Sequence, residues 1–421
     1  MVLNLMKITV PCCVKWVLAV FAGCVCAGLG RVRTMGAEEP AWIGQSNNAF
    51  AVDLYGKVAG KTAGNLFFSP FSIQTALAMT YAGARGTTAE QMAAVLHLPA
   101  ESTTIPGDFG GLIKGLVSTG TDEGETGGVN LSIANALWGQ AGFDFLPDFI
   151  QLLKTDYGAG IEELDFGHNA EGARQTINGW VEDQTHDKIK NLIAPGILLP
   201  STKLVLTNAI YFKGTWVDPF NKSATELEPF HQSASAASQV NMMQAHEECG
   251  YAEGGDFQAL ELPYRGERLG MIVLLPSKVD GMPALEKKLT PGMLSGVFEK
   301  LRPKFRRVAV FLPRFQLTEQ LELAGTLRSM GMEAAFDPAH ADFSGMTGTK
   351  LLFISNVIHK AYVGVNEEGT EAAAATAVVM VGAAMPMGPP VVFRADHPFL
   401  FMIRDETSGA ILFMGRVTNP G

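Results

Sequence analysis

Cysteine is scarce where it would matter. Of the five in this 421-residue sequence, Cys12, Cys13, Cys24 and Cys26 lie within the first 37 residues, and only Cys249 follows. Once that leading segment is removed, no internal disulfide can form, and stability must come from packing. Charge is also sparse, at 18% of residues, and the formal net charge is −10 with both signs mixed along the chain. No basic block stands out, so nucleic acid is a poor partner on electrostatic grounds, and so are sulfated polyanions. No apolar run reaches the ~20 residues that span a bilayer. Internal repeats are absent. The motifs GxSxG, HExxH and GxxxxGK[ST] are absent too, which removes the best-marked hydrolase, metalloprotease and nucleotide-binding classes. His246-Glu247-Glu248-Cys249 offers two metal ligands but no second pair, which is too few for a site. No cofactor is implied.

What is present is a large apolar inventory, 47% of residues, enough to bury a sizeable core. A length prior suggests two or three domains. No linker divides the chain, so one domain over 43–421 is expected. The first 37 residues stand apart. From Trp16 to Gly30 every residue is apolar or small, after a weakly basic start at Lys7. That fits a signal-peptide core, with a small residue at the cut after Ala27 or Ala37. Phe21-Ala22-Gly23-Cys24 also reads as a loose lipobox, which would anchor the chain by lipid at Cys24. The expected location is secreted or extracellular. Cys249 is expected to be an inert, partly buried thiol.

Helix and strand patterns alternate after the leader. Residues 72–82 have helical periodicity with Ser72 as a cap, and Thr88 with Gln91 reads as a capping box. An amphipathic helix is expected over 171–190, carrying Ile177, Trp180 and Ile189. Buried strands are expected at 204–212, 269–275, 307–312, 399–403 and 410–417, the last two joined by a turn at Glu406–Gly409. Ser118–Gly128 reads as a polar, glycine-rich loop. This mixture is α+β rather than a run of βαβ units. The unusual segment is 366–390, NEEGTEAAAATAVVMVGAAMPMGPP. A loop that long inside a compact domain is usually functional.

Five segments, in order, resemble the serpin family: NLFFSPFSIQTALAMTYAGARGTTAEQM (65–92), TNAIYFKGTWVDPFNKSAT (207–225), FLPRF (311–315), ISNVIHKAYVGVNEEGTEAAAATA (354–377) and FRADHPFLFMIRDETSGAILFMGRVTNP (393–420). The resemblance is to inhibitory members, of the kind secreted by bacteria. It implies three β-sheets, eight or nine helices and an exposed reactive-centre loop, here about 367–392. It also implies a monomer that is not an enzyme. Its partner would be a serine protease that attacks the loop and is trapped as a covalent acyl-enzyme when the cut loop enters the central sheet. Loop insertion in this family is a standard instance of strand addition and released strain. A carrier or chaperone without inhibitory activity is the alternative.

The loop can be checked for fitness to become a strand. Alternate side chains of a strand face the core. With Thr370 inward, the inward set is Thr370, Ala372, Ala374, Thr376, Val378 and Met380, with neither charge nor proline. Glu371 falls on the outward side, where no desolvation cost arises. Glu367, Glu368, Gly369, Thr370, Glu371, Ala372, Ala373, Ala374, Ala375 and Thr376 form the expected hinge, with Gly369 as its flexible point. The alanine run would make a good helix on its own, but the Gly-Thr-Glu lead-in and the proline-rich exit oppose that. By family loop length the reactive bond is Ala383–Ala384; counting back from His397 favours Met387–Gly388. No Lys or Arg lies between Lys360 and Arg394, so elastase-like or subtilisin-like proteases suit the loop better than trypsin-like ones. By resemblance, Asn65, Ser69, Ser72, Asn208 and His359 form a sheet-opening polar cluster. Trp216, Arg314 and Glu367 mark where the loop enters the sheet. Residues 105–118, where some relatives carry a heparin-binding helix, contain one basic residue, Lys114, so heparin is not an expected partner.

Overall fold

A computed structural model describes residues 40–99, 102–118, 128–302, 305–370 and 390–421. The leader, most of the 118–128 loop and the greater part of the reactive loop lie outside these residues. The strands, in chain order, are β1 (Leu66–Phe68), β2 (Asn130–Gln140), β3 (Ile161–Leu164), β4 (Leu204–Thr215), β5 (Glu226–Ser233), β6 (Ala236–Glu253), β7 (Phe257–Pro263), β8 (Leu269–Pro276), β9 (Phe305–Pro313), β10 (Phe315–Glu322), β11 (Ile354–Asn366), β12 (Gly369–Thr370), β13 (Val391–Arg394), β14 (Phe399–Asp405) and β15 (Ile411–Val417). The main helices are α1 (Ala41–Ala59), α2 (Pro70–Tyr81), α3 (Gly86–Val95), α4 (Ile105–Ser118), α5 (Pro147–Leu152) and α6 (Phe166–Gln184), with α7 (Met282–Lys288), α8 (Pro291–Leu301), α9 (Ala324–Ser329) and α10 (Ser344–Thr347) after them. The count of ten α-helices among the described residues exceeds the eight or nine expected because short pieces such as the four-residue α10 are included.

Hydrogen bonding joins the strands into a nine-stranded and a six-stranded network. Two of the three sheets implied by the resemblance are continuous because β6, 18 residues long, is shared. It pairs with β5 and β9 over most of its length and with β7 from Gly250 to Glu253. The six-stranded sheet, in the order β10-β11-β12-β4-β2-β3, is the central one. Its strand β4 is buried at all but one position, so it reads as a near-continuous apolar run. One face of this sheet lies on the main core with α2. The other carries a separate core beneath α6, built from Trp138, Ile177, Val181, Val205, Ala209 and Ile358 among others. Trp138 and Trp180 meet edge to face there, with centroids 5.4 Å apart.

Several helix boundaries differ from the sequence reading. Ser69, not Ser72, caps α2, accepting a hydrogen bond from Ser72 N, and Pro70 opens the helix. Thr88 and Gln91 form no capping box. Thr88 Oγ1 accepts from Asp342 N and Gln91 Oε1 from Ala334 N, so both serve tertiary contacts instead. The α6 helix starts earlier than position 171 because Asp165 caps it through His168 N at 3.0 Å. It ends before 190 because His186 and Asp187 take positive φ. His246 is exposed and Cys249 buried, on opposite faces of β6, so the two are not oriented as a ligand pair. Burial pushes the Cys249 thiol up to about 12, helped by Glu247 and Glu261, so it stays protonated and unreactive.

Candidate functional site

The central sheet holds a buried polar cluster at its middle. β4 and β11 run parallel there, with His359 opposite Asn208. Ser69 N donates to His359 Nε2 at 3.1 Å, which fixes Nε2 as the acceptor. The Nδ1 proton is therefore directed at Asn208 Oδ1. Asn208 Nδ2 donates to Ser72 Oγ at 2.5 Å and also to Asn135 Oδ1. Ser72 Oγ donates to Asn135 Oδ1 at 3.0 Å, and Ser69 Oγ to the Leu412 carbonyl at 2.6 Å. Four strands and the start of α2 are thus joined through side chains. Full burial pushes the His359 imidazole down to about 3, so it is neutral and keeps this tautomer.

Asn65 does not join this cluster. Its side chain reaches the C-terminal tail, donating to Asn419 O at 2.7 Å and accepting from Thr418 N at 2.7 Å. The extended β1 carries it away from Ser69. Asn135 of β2 takes a place that the sequence reading left vacant. Its signal was present: a lone Asn inside the largely apolar run LSIANALWG, a half-buried amide whose polar atoms need partners.

At the upper end of β11 the chain turns back on itself. Asn366 Oδ1 accepts from Glu368 N and Gly369 N, at 2.9 and 3.2 Å, which closes a tight turn. Gly369 and Thr370 then form β12 between β11 and β4. Thr370 sits opposite both Val365 and Gly214, and Gly369 opposite Asn366 and Thr215. Gly369 has φ +151°, and a Cβ there would lie 2.0 Å from the Gly214 carbonyl oxygen, so no other residue fits. Thr370 is fully buried and shares a hydrogen bond of 2.7 Å with the Tyr264 hydroxyl. Burial pushes that hydroxyl well above its ordinary pKa, so it remains a neutral partner.

The turn is held from the side. Trp216 N donates to Glu368 O at 3.0 Å, Phe220 N to Glu367 O at 2.8 Å, and Trp216 Nε1 to Asn366 O at 3.0 Å. Trp216 stacks on Tyr264 with centroids 4.5 Å apart. Arg314 grips both oxygens of Glu367 at 2.7 and 2.8 Å, and Thr225 Oγ1 donates to it at 2.5 Å. Burial alone would raise the Glu367 pKa; the hydrogen bonds from Arg314 and Thr225 outweigh it and leave the carboxyl below its usual range. Lys222 pairs with Glu368. Of the residues expected where the loop enters, Trp216, Arg314 and Glu367 are thus brought together. Lys222, Thr225, Tyr264 and Asn366 complete the arrangement. Lys222, Thr225 and Asn366 lie inside the segments 207–225 and 354–377 without having been singled out there, and Tyr264 alone comes from a segment that carries no mark.

Glu371, Ala372, Ala373, Ala374, Ala375 and Thr376 of the hinge lie outside the described residues. So do both assignments of the reactive bond, Ala383–Ala384 and Met387–Gly388. The chain resumes as β13, which runs parallel to β9 at a sheet edge.

Comparison with known proteins identifies the family. The model of the family described as Serpin (serine protease inhibitor) matches residues 45–420. An uncharacterised serpin-like protein of Thermococcus kodakarensis is 43% identical over 387 residues, covering 91% of this chain and 87% of its own. Leukocyte elastase inhibitor of Homo sapiens is 41% identical over 388 residues, covering 90% of this chain and 99% of its own. Among solved structures, Serpin48 of the insect Tenebrio molitor, described as a highly specific serpin, superposes with a TM-score of 0.79 at 34% identity, over 92% of this chain and 100% of the other. With the family model spanning nearly all of the described residues, this chain belongs to the serpin family.

Proposed function

We propose that the chain inhibits serine proteases as a suicide substrate, and the observation that carries this reading is β12. Two residues of the loop already stand as a strand between β11 and β4. Below them those two strands pair directly. Extending the β12 register brings Ala372 opposite Val363 and Phe212, Ala374 opposite Ala361 and Ile210, and Thr376 opposite His359 and Asn208. The inward positions therefore receive small side chains. The one hydroxyl arrives where the His359–Asn208 hydrogen bond must part, and can replace it. Glu371 falls outward, opposite Gly364 and Lys213. Fourteen inserted residues would span ~47 Å at ~3.4 Å each, enough to carry an attached protease along the sheet.

In the reaction, the protease serine oxygen attacks the Ala383 carbonyl, the bond to Ala384 nitrogen breaks, and an acyl ester forms. Insertion of residues 371–383 then separates the ester from the machinery that would hydrolyse it. The small residue at the cut favours elastase-like or subtilisin-like targets. The chain acts as a monomer and not as an enzyme, and residues 1–37 direct export, with Cys24 as the lipid-anchored variant. α4 carries a single lysine, Lys114, which speaks against a heparin site there.

The test is to mix the protein with pancreatic elastase, subtilisin, chymotrypsin and trypsin, run denaturing gels and weigh the released C-terminal fragment. A denaturant-resistant complex with a fragment starting at Ala384 is expected. A fragment starting at Gly388 would keep the trap and move the bond. Clean cleavage without a complex by every protease would leave a carrier or chaperone as the better reading.

A further inference from the structure

The direct pairing of β4 with β11 ends at one residue pair, Tyr211 with Tyr362. Beyond it the strands part to admit β12. The two rings face each other across the point of division, with centroids 6.4 Å apart and planes inclined at 34°. Tyr362 packs on the core beneath α6, and Tyr211 lies on that same face by alternation from Val205 and Ala209. Gly364 lets the Tyr362 ring lie along its strand, since a Cβ there would be 3.0 Å from the Tyr362 hydroxyl.

The segment after α6 touches both strands. Lys188 Nζ lies 5.9 Å from the centroid of the Tyr211 ring on β4. Two residues on, the Lys190 carbonyl accepts from Lys360 Nζ of β11 at 2.7 Å. Strands, rings and overlying segment therefore meet at the one place where a lengthening β12 must pass. Were β12 to lengthen in its present register, residue 373, an alanine, would have to pass between the two rings.

We propose that Tyr211 and Tyr362, tethered by Lys188, form a latch that sets the rate at which the loop enters the sheet beyond Thr370. This rests on the inhibitory reading for its biological meaning, but not for its test. An aromatic pair contributes ~0.5–1.5 kcal/mol beyond its buried area. Removing it should therefore speed passage by a factor of ~2 to ~10.

The experiment uses the full chain and a synthetic peptide of residues 370–383, TEAAAATAVVMVGA, whose incorporation is followed by native gel mobility and thermal stability. Tyr362→Ala should take up the peptide ~2–10 times faster than the parent, and Tyr362→Phe at the parental rate. Tyr211→Ala combined with Tyr362→Ala should be no faster than either alone, since one contact is being removed. Lys188→Ala, on an exposed side chain, keeps the test open should the tyrosine variants fail to fold, and should speed uptake ~2-fold. A peptide with Ala373→Phe should enter the parent slowly and Tyr362→Ala readily. Parental uptake rates in both Tyr362→Ala and Lys188→Ala, or fully additive effects of the two tyrosine changes, would overturn the latch. If no protease is trapped while Tyr362→Ala still accelerates uptake, the latch stands and the inhibitory reading falls.

Discussion

Between β4 and β11 the sheet exists in two states along one pair of strands. At the top, β12 separates them. From Tyr362 downward they bond to each other. The difference lies in side chains, not backbone. The open end has glycine at 214, 364 and 369, and a Cβ at Gly214 would lie 2.7 Å from Phe212 Cζ and 2.8 Å from Tyr264 Cδ1. The closed end has the Tyr211–Tyr362 rings, then the His359–Asn208 hydrogen bond. Bulk was removed where a third strand has entered, and cross-strand contacts were built where it has not. The slot between the two strands is therefore held by specific residues that can be changed.

The change with the largest expected effect attacks the open end. Thr370→Arg would bury a guanidinium against Tyr264 with no anion to meet it, at a cost of several kcal/mol. β12 should be expelled, and the protein should become a plain substrate, with the yield of covalent complex down ~100-fold on gels. Thr370→Ser should retain activity. Complex formation by Thr370→Arg at the parental stoichiometry would mean that β12 is incidental. At the closed end, His359→Ala strands Ser69 N and Asn208 Oδ1 without partners, and should lower stability by ~2–4 kcal/mol. Guanidinium unfolding at pH 7 measures it, and a loss below ~0.5 kcal/mol would show that the cluster does not hold the sheet.

These residues were unequally legible in the sequence. Ser69, Ser72, Asn208 and His359 stand in segments that carry the family resemblance, and the structure joins them in one network. Two serines three apart could each cap α2, and the choice was decided by Pro70, which fits the first helical turn. Asn65 is four residues from Ser69, but an extended strand advances ~3.3 Å per residue, so nearness in sequence became distance in space. Lys222, Tyr264 and Asn135 were not legible as site residues. Asn135 depends on the register that sets β2 against β4, Tyr264 on its bridge to Trp216, and Lys222 on where the turn after β11 falls, and such pairings are set by the whole sheet. The helix ends at 166 and 184 depended on Asp165 and on two positive-φ residues, which leave only weak marks in composition.

Acidity offers a smaller effect away from the slot. Burial, with help from Glu406, raises Glu261 to about 7, and burial with Asp218 nearby raises Glu247 to about 7. Arg404 and Arg302 face the same Glu261 carboxyl and oppose that rise. Both pKa values lie above the ordinary 4.5, so the folded chain holds protons that the unfolded chain releases. Their contribution is whole below pH 4.5 and is lost as pH rises to about 7. His359 has the opposite sign. With its pKa lowered from 6.5 to about 3, stability is lost as pH falls through that window. The slopes oppose each other between 4.5 and 6.5. Glu261→Gln should therefore gain ~1–3 kcal/mol at pH 8 relative to its parent and little at pH 5. An equal change at both pH values would show that Glu261 is ionised throughout.

The smallest expected effect concerns how the turn above β12 is held. Glu368 is paired with Lys222, but the lysine side chain is 61% exposed, and an ion pair of that kind is worth under ~1 kcal/mol. The Glu368 carbonyl, by contrast, accepts from Trp216 N at 3.0 Å, and its amide donates to Asn366 Oδ1 at 2.9 Å. Both of those bonds survive loss of the lysine. Lys222→Ala should then shift the unfolding midpoint by less than ~0.5 kcal/mol and leave peptide uptake at the parental rate. A larger loss, screened out by added salt, would assign the open end of the slot to the ion pair rather than to the backbone of the turn. Insertion would then begin with a charge contact that salt can release, and the interruption at Tyr362 would follow it rather than govern it.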